Sequence, residues 1–163
     1  MNMTRPNYLS MLVLVLFLSG CIPPQTQRMY SGPQLEPAKE STITTNGLTG
    51  DPEPGVRISS VDGEKTVSIF IRWMTGPATE VRVTPGKHDI GLLFNTGSSL
   101  HRQDLWLVAC PGKTYVAKAR YDENETQMWI EDQESGNRVG GVKGSADEPK
   151  SKNVACDPGQ SKE

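Results

Sequence analysis

Few side chains in this sequence combine into a pattern that could perform catalysis. Ser98 and Ser99 lie just before His101, and a hydroxyl beside an imidazole is a combination used in nucleophilic catalysis. Residues so close together in a polar loop rarely hold a nucleophile and a base in line, so a solvated turn is favoured. Cys110 with His88 resembles a thiol nucleophile and its base, but an oxidised Cys110 could not attack a substrate. With no Gly-x-Ser-x-Gly elbow present either, we expect no enzymatic activity.

Metal and cofactor patterns are equally weak. Glu131, Asp132 and Glu134 form an acidic cluster, but they lack the regular oxygen spacing of a calcium loop, and a solvated turn is favoured. The sequence has no CxxC or HxxxH spacing that would predict zinc. Gly140-Gly141 does not follow a phosphate-binding pattern. We therefore expect neither a metal nor a cofactor.

The remaining candidates for binding are one histidine and two tryptophans. His88 follows a Pro-Gly pair at the start of a predicted strand, where a half-buried histidine bonded to a neighbouring strand is favoured. Exposed aromatic side chains on a sheet can stack on sugars or anchor a partner, although most tryptophans in a small β domain belong to the core. Trp106 and Trp129 are predicted to face away from the main apolar set. Trp106, Trp129 and His88 are therefore the candidate binding surface.

An uninterrupted apolar run, residues 11–18, follows a short segment that carries Arg5. It is too short to span a hydrocarbon core, which takes about 20 residues, and it has no polar positions at helical period. Pro23-Pro24 prevents a helix from continuing. A basic start, a short apolar middle and small residues at its end are typical of a secretory signal.

The end of this run, Leu18-Ser19-Gly20-Cys21, resembles the lipobox of bacterial lipoproteins. The resemblance implies that residues 1–20 are a signal peptide and that Cys21 is lipidated and becomes the first mature residue. It also implies a location in the cell envelope, anchored to a membrane through lipid. Ile22 replaces the Asp that retains many enteric lipoproteins at the inner membrane, so the resemblance implies the outer membrane.

The charge balance argues against two classes of partner. Of the 17 Lys and Arg residues only Arg5 precedes Cys21, so the mature chain keeps 16 of them against 19 Asp and Glu, a net charge of −3. No basic excess points to a nucleic acid or to an anionic membrane surface.

Cysteine usage fits the same compartment. If Cys21 carries lipid, Cys110 and Cys156 remain as a pair, and an oxidising compartment favours a disulfide between them. The alternative is two free, partly buried thiols.

The mature chain is predicted to have a tether, a domain and a tail. Residues 21–54 are rich in Pro and polar residues and show no apolar periodicity, which predicts a flexible tether. Residues 143–163 are charged and small and predict a disordered tail, which Cys156 could pin. The domain lies between them, at 55–142.

Short runs of alternating apolar and polar residues follow one another through this domain, separated by turn signals such as Asp62-Gly63. With no convincing helix, they predict an all-β fold, a small antiparallel sandwich or barrel of seven to eight strands. The inward-facing positions are predicted to be Val67, Ile69, Ile71, Val81, Val83, Ile90, Leu92, Phe94, Tyr115, Ala117, Ala119, Tyr121, Met128 and Ile130, with Ser68 and Arg82 facing solvent.

Two phrases of this domain, Val81-x-Val83-x-Pro85-Gly86-x-His88-x-Ile90 and Pro111-Gly112-Lys113-x-Tyr115, resemble PEGA-type small β domains of bacterial envelope proteins. Together with the lipobox, this resemblance implies a non-enzymatic module that binds an envelope protein partner or supports an assembly. The alternative is a periplasmic inhibitor or a carbohydrate- or peptidoglycan-binding module that uses a loop or the Trp106/Trp129 face. The loop motif characteristic of lipoprotein inhibitors of lysozyme is not found.

Overall fold

Alternating apolar residues assemble into two β-sheets that face each other. The computed structural model describes residues 26–45, 55–66, 79–122, 125–151 and 156. Within these ranges the chain forms eleven strands and one short 3-10 helix. The predicted signal peptide, Cys21 and the predicted core positions Val67, Ile69 and Ile71 lie outside the described residues.

In chain order the elements are β1 Thr26–Arg28, the 3-10 helix Pro37–Lys39, β2 Ser41–Thr44, β3 Val56–Val61, β4 Glu64–Lys65, β5 Glu80–Val83, β6 Gly86–Asn95, β7 Leu100–Ala109, β8 Thr114–Asp122, β9 Glu125–Asp132, β10 Arg138–Val139 and β11 Gly141–Val142.

The six-stranded sheet has the spatial order β1-β5-β2-β8-β9-β10, and the five-stranded sheet has the order β11-β7-β6-β3-β4. Neighbours pair antiparallel except β1 with β5 and β2 with β8. The fold is therefore an open all-β sandwich, as predicted, and not a closed barrel.

The predicted hairpin turn at Asp62-Gly63 is confirmed. Val61 pairs with Glu64, so the loop has two residues, and both have positive φ, 51° at Asp62 and 83° at Gly63. Asn/Asp-Gly pairs favour this left-handed geometry because it matches the twist of the flanking strands.

The core lies between the two sheets, where the inward residues of both meet. Ile90, Leu92, Tyr115 and Ala117 are at most 2% exposed, which confirms the predicted alternation of β6 and β8. The buried hydrophobic cluster consists of Ile43, Val56, Ile58, Val61, Val81, Val83, Ile90, Leu92, Phe94, Leu105, Leu107, Ala109, Tyr115, Ala117, Met128 and Ile130.

Tyr121 is the exception on the core face of β8. It was predicted to be buried but is 52% exposed. Tyr121 is the next-to-last residue of β8, and its ring meets His101 at a centroid distance of 6.2 Å rather than a packed apolar layer. Alternation alone does not show where a sandwich ends.

The tether predicted over residues 21–54 is wrong for residues 26–45. β2 lies inside the six-stranded sheet between β5 and β8, and its Ile43 is fully buried. A four-residue strand with one large apolar side chain shows no usable periodicity. Its stability comes from backbone pairing with β5 on one side and β8 on the other, both distant in sequence.

The tail predicted to be disordered from residue 143 is also wrong, for residues 143–151. Residues 141–151, here called the C-terminal strap, begin as the edge strand β11 and continue over the outer face of the five-stranded sheet. Lys143 Nζ lies 2.7 Å from Asp89 Oδ2, and Glu148 forms an ion pair with Lys87. Charged residues that indicated solvation in the sequence are thus ion-paired to β6.

The chain crosses from one sheet to the other at Gly140. β10 pairs with β9 in the six-stranded sheet, and β11, one residue later, pairs with β7 in the five-stranded sheet. Gly140 has φ of 75°, and a Cβ at this position would lie 2.1 Å from the backbone oxygen of Trp106. Only glycine satisfies both the conformation and the close approach.

We therefore expect Gly140→Ala to lower the free energy of unfolding by about 2–4 kcal/mol, since left-handed strain and backbone displacement add. Gly136→Ala is the matched control, because Gly136 has φ of 71° but nothing within 4 Å of the added Cβ. It should cost about 1 kcal/mol from conformation alone. Urea denaturation of both variants measures the difference. If both variants lost the same free energy of unfolding, the close approach of Gly140 to the Trp106 carbonyl would be contradicted.

Candidate functional site

Trp106 lies on the outer face of the five-stranded sheet, but it is not exposed. Its side chain is covered by the C-terminal strap, and only 7% of the residue is accessible. Its Nε1 donates to Ser145 Oγ at 3.2 Å, and Gly141 approaches so closely that a Cβ there would lie 2.9 Å from Nε1. Because Trp106 is buried, its ring is not open to a ligand, and the prediction that it belongs to a binding surface is not supported.

Trp129 lies on the outer face of the other sheet. It is half-buried, its Nε1 donates to Glu131 Oε1 at 2.7 Å, and the guanidinium of Arg138 lies 4.1 Å from the ring centroid. Such a cation–π stack fixes the arginine and covers one face of the indole.

His88 has the structural role that the sequence favoured. The residue is 8% exposed, its Nε2 donates to the Thr84 carbonyl at 2.7 Å, and its Nδ1 lies 2.8 Å from Asp62 Oδ2. Asp62 Oδ1 also accepts from the backbone N–H of Asp89 at 2.9 Å. His88 therefore fastens the β3–β4 turn to β6, and both of its ring nitrogens have partners.

These three residues do not form one surface. Trp106 and Trp129 lie on the outer faces of different sheets, and His88 shares the inward face of β6 with Ile90. Alternation correctly placed both indoles away from the core. It could not show which strands share a sheet, because that depends on pairing between distant segments.

The acidic cluster after β9 is a turn with an ion pair. Asp132 Oδ1 accepts from the backbone N–H groups of Glu134 and Ser135, at 3.0 and 2.8 Å. Glu134 pairs with Lys113, and this hydrogen bond raises the pKa of Lys113. In the described ranges no three His, Cys, Asp or Glu side chains group as metal ligands.

The serines before His101 also serve a turn. Thr96 and Ser99 exchange hydrogen bonds, from Thr96 N–H to the Ser99 carbonyl at 3.0 Å and from Ser99 N–H to Thr96 Oγ1 at 3.1 Å. The His101 ring faces Tyr121 instead of the serines. This arrangement does not align a hydroxyl with an imidazole.

Cys110 and Cys156 form a disulfide, as expected, with their Cα atoms 5.4 Å apart. Both backbone polar groups of Cys110 have hydrogen-bond partners. Ser41 Oγ donates to the Cys110 carbonyl at 2.7 Å, and Cys110 N–H donates to Tyr115 Oη at 2.9 Å. Burial raises the pKa of Tyr115, so its neutral hydroxyl is favoured here. Cys110 is thus a structural residue and is not available as a thiol nucleophile.

Sequence reasoning missed one buried charge. Glu40 is 3% exposed; its Oε1 accepts from Tyr30 Oη at 2.9 Å, and Arg82 Nε lies 3.9 Å from its Oε2. Both Tyr30 and Glu40 belong to the segment predicted to be tether, where nothing in the local pattern distinguishes them. Arg82, predicted to face solvent, is half-buried because it lies beside this carboxylate.

Two ion pairs join the strap to β6, Glu148 with Lys87 and Lys143 with Asp89. The hydrogen bond from Lys87 lowers the pKa of Glu148, and the hydrogen bond to Asp89 raises the pKa of Lys143. A shallow depression of about 420 Å³ beside these pairs is lined by Lys87, Ser145, Ala146, Glu148, Pro149 and Lys150. The paired charges hold the strap on the sheet.

Comparison with protein-family models, with curated proteins and with solved structures finds no match to this chain. Among the described residues, no helix has the length and apolar character needed to cross a membrane.

Proposed function

We propose that this chain is a lipid-anchored lipoprotein of the bacterial cell envelope whose sandwich acts as a non-enzymatic binding or assembly module. The observation that carries the proposal is the pairing of cysteines. Cys110 and Cys156 are joined, so Cys21, at the end of the lipobox-like Leu18-Ser19-Gly20-Cys21, is the one cysteine of three outside the disulfide. A lone cysteine at that position is the residue that lipidation would use.

The disulfide supports the compartment as well. Disulfides form and persist in exported proteins and are rare where thiols are kept reduced. An export signal before Cys21 and an oxidised pair after it are consistent with one another. By the resemblance of Leu18–Cys21 and the identity of Ile22, the membrane proposed is the outer membrane.

Two features favour a binding or assembly role over catalysis. Cys110 is held in the disulfide, and the hydrogen bonds of Thr96 and Ser99 stabilise a turn. The proposed partner is an envelope protein. Capture from detergent-solubilised membranes with the lipidated chain should recover a stable protein partner; retention on peptidoglycan alone would contradict this part of the proposal.

The alternative, a carbohydrate- or peptidoglycan-binding module, is less favoured by the geometry. That alternative, which also included a periplasmic inhibitor, used either a loop or the Trp106/Trp129 face. The second of these routes needs both indoles on one face, whereas Trp106 is covered by the strap and Trp129 is stacked beneath Arg138. Neither indole offers an open ring on a shared face for a sugar.

Replacement of the anchor tests the proposal. Cys21→Ser should abolish incorporation of a palmitate analogue and shift the product out of the membrane fraction. Each buried CH₂ of an acyl chain contributes about 0.8 kcal/mol to membrane binding, so losing two or three chains removes the anchor. Labelling and fractionation of expressing cells measure both effects.

Cys156→Ser is the matched control, since it removes a cysteine outside the lipobox and should leave palmitate incorporation unchanged. Globomycin should block processing of the natural chain. An unlabelled natural chain, or processing that resists globomycin, would overturn the lipoprotein proposal.

A further inference from the structure

The start of β1 limits how far the sandwich can lie from its anchor. β1 begins at Thr26, only five residues after Cys21. Five residues span at most about 18 Å even when fully extended. This inference rests on the proposed lipidation of Cys21: if that residue is at the bilayer, the edge of the six-stranded sheet is within this distance of it.

We propose that the β1 edge of the six-stranded sheet lies on the bilayer that anchors the chain, with Arg28 binding lipid phosphate. β1 is the outermost strand of that sheet and pairs only with β5 among the described strands. The β1 edge is thus the part of the described sandwich that the five-residue connection to Cys21 holds nearest to the membrane.

Arg28 has the chemistry for this contact. Its guanidinium lies 5.1 Å from the ring centroid of Tyr30, the residue is exposed, and no carboxylate pairs with it in the part of the chain that the structure describes. A guanidinium can bind a phosphate with two parallel hydrogen bonds.

The charges around Arg28 show which kind of contact to expect. Arg82 pairs in register with Arg28, and it lies 3.6 Å from Glu80 and 3.9 Å from Glu40. These two arginines and two carboxylates sum to zero net charge, so this edge is not a basic patch, and its contact with lipid depends on the one exposed guanidinium of Arg28. Such a contact is too weak to hold a soluble protein on a membrane. With the anchor in place, the effective concentration of headgroups is high, and one contact is enough to orient the domain.

The opposite edge of the same sheet supplies a matched control. Arg138, in β10, also lies over an aromatic ring, 4.1 Å from the centroid of Trp129. The two edges are separated by five strand spacings, about 24 Å. A contact that depends on the connection to Cys21 should involve Arg28 and not Arg138.

The experiment uses the lipidated chain in vesicles of phosphatidylethanolamine and phosphatidylglycerol that contain a headgroup nitroxide lipid. Thr26→Cys and Asn137→Cys each add a thiol at one edge, and a bimane attached there reports the distance to the nitroxide. The other cysteines are lipidated or oxidised, so labelling is specific. We expect the Thr26 probe to be quenched at least about twofold more than the Asn137 probe, because of the separation of the edges.

Two substitutions and one insertion test whether Arg28 and the short connection to Cys21 cause the difference in quenching. Arg28→Ala should reduce quenching of the Thr26 probe, whereas Arg138→Ala should leave it unchanged. Inserting 20 Gly and Ser residues between Gln25 and Thr26 should bring the two probes to similar quenching, since a flexible linker of that length spans about 25 Å.

Equal quenching of the two probes in the natural lipidated chain, or stronger quenching at Asn137, would overturn the inference. So would quenching at Thr26 that Arg28→Ala does not change. Palmitate labelling of the same samples separates the two proposals: a labelled chain without the expected difference refutes only the orientation, and an unlabelled chain refutes the lipid anchor and the orientation with it.

Discussion

Leu92→Ala is expected to lower the free energy of unfolding by about 2–5 kcal/mol, the range for deleting a large buried aliphatic side chain. Leu92 is fully buried in the centre of β6, a strand paired with β3 on one side and β7 on the other. A domain of this size has only about 5–15 kcal/mol of stability to lose. The variant should therefore show a clearly lowered urea midpoint with an unchanged slope.

The next residue gives the control for this prediction. Leu93 is also a leucine on β6, but it faces outward and is half-buried. Leu93→Ala should cost about 1 kcal/mol or less, as partly exposed positions do. If the two variants lost similar stability, the alternation of inward and outward faces along β6 would be contradicted.

Removal of the disulfide should have an effect of similar size. Cys110→Ser with Cys156→Ser removes a cross-link between residues separated by 46 positions. On the chain-entropy model a loop of this length contributes about 4 kcal/mol, because the cross-link restricts the unfolded chain. The double variant also removes the covalent link that holds the chain after the C-terminal strap, leaving β11, the ion pairs and the Trp106–Ser145 hydrogen bond to hold the strap, so Trp106 should become more accessible to acrylamide.

Alkylation measures the bridge directly. In the natural chain purified without reductant, both thiols should be protected from alkylation until a reductant is added, and the urea midpoint of the double variant should fall below that of the natural chain. Thiols that react without reductant, or a double variant as stable as the natural chain, would contradict this account of the strap.

The sequence was informative where structure depends on neighbours along the chain. Residues 86–109 show this best: β6 and β7 pair over their whole length, from Gly86 with Ala109 to Asn95 with Leu100. The alternation of Ile90, Leu92 and Phe94 predicted the buried face of β6, and Asp62-Gly63 predicted the β3–β4 turn. Local chemistry, meaning β-branched residues, alternation and turn residues, is sufficient for such hairpins.

Elements stabilised by distant partners were missed. β2 is an interior strand of a sheet only because β5 and β8 pair with it from 35 or more residues away. The strap is ordered because Lys143 and Glu148 find Asp89 and Lys87 on β6. In sequence these same residues indicated solvent, since charge alone does not reveal a partner.

The candidate site was only partly predictable for the same reason. The role of His88 followed from its position after a turn on an inward face. The burial of Trp106 did not, because it depends on Gly140, where the chain changes sheets and brings the strap over the indole.

The central claim is that the disulfide-linked sandwich is anchored through a lipidated Cys21, and the intact mass of the protein purified from membranes tests it most directly. The account predicts a chain that begins at Cys21, carries the added mass of acyl groups on that residue, and gains two protons when Cys110 and Cys156 are reduced. A chain that retains residues 1–20, or one that begins at Cys21 without added acyl mass, would contradict it.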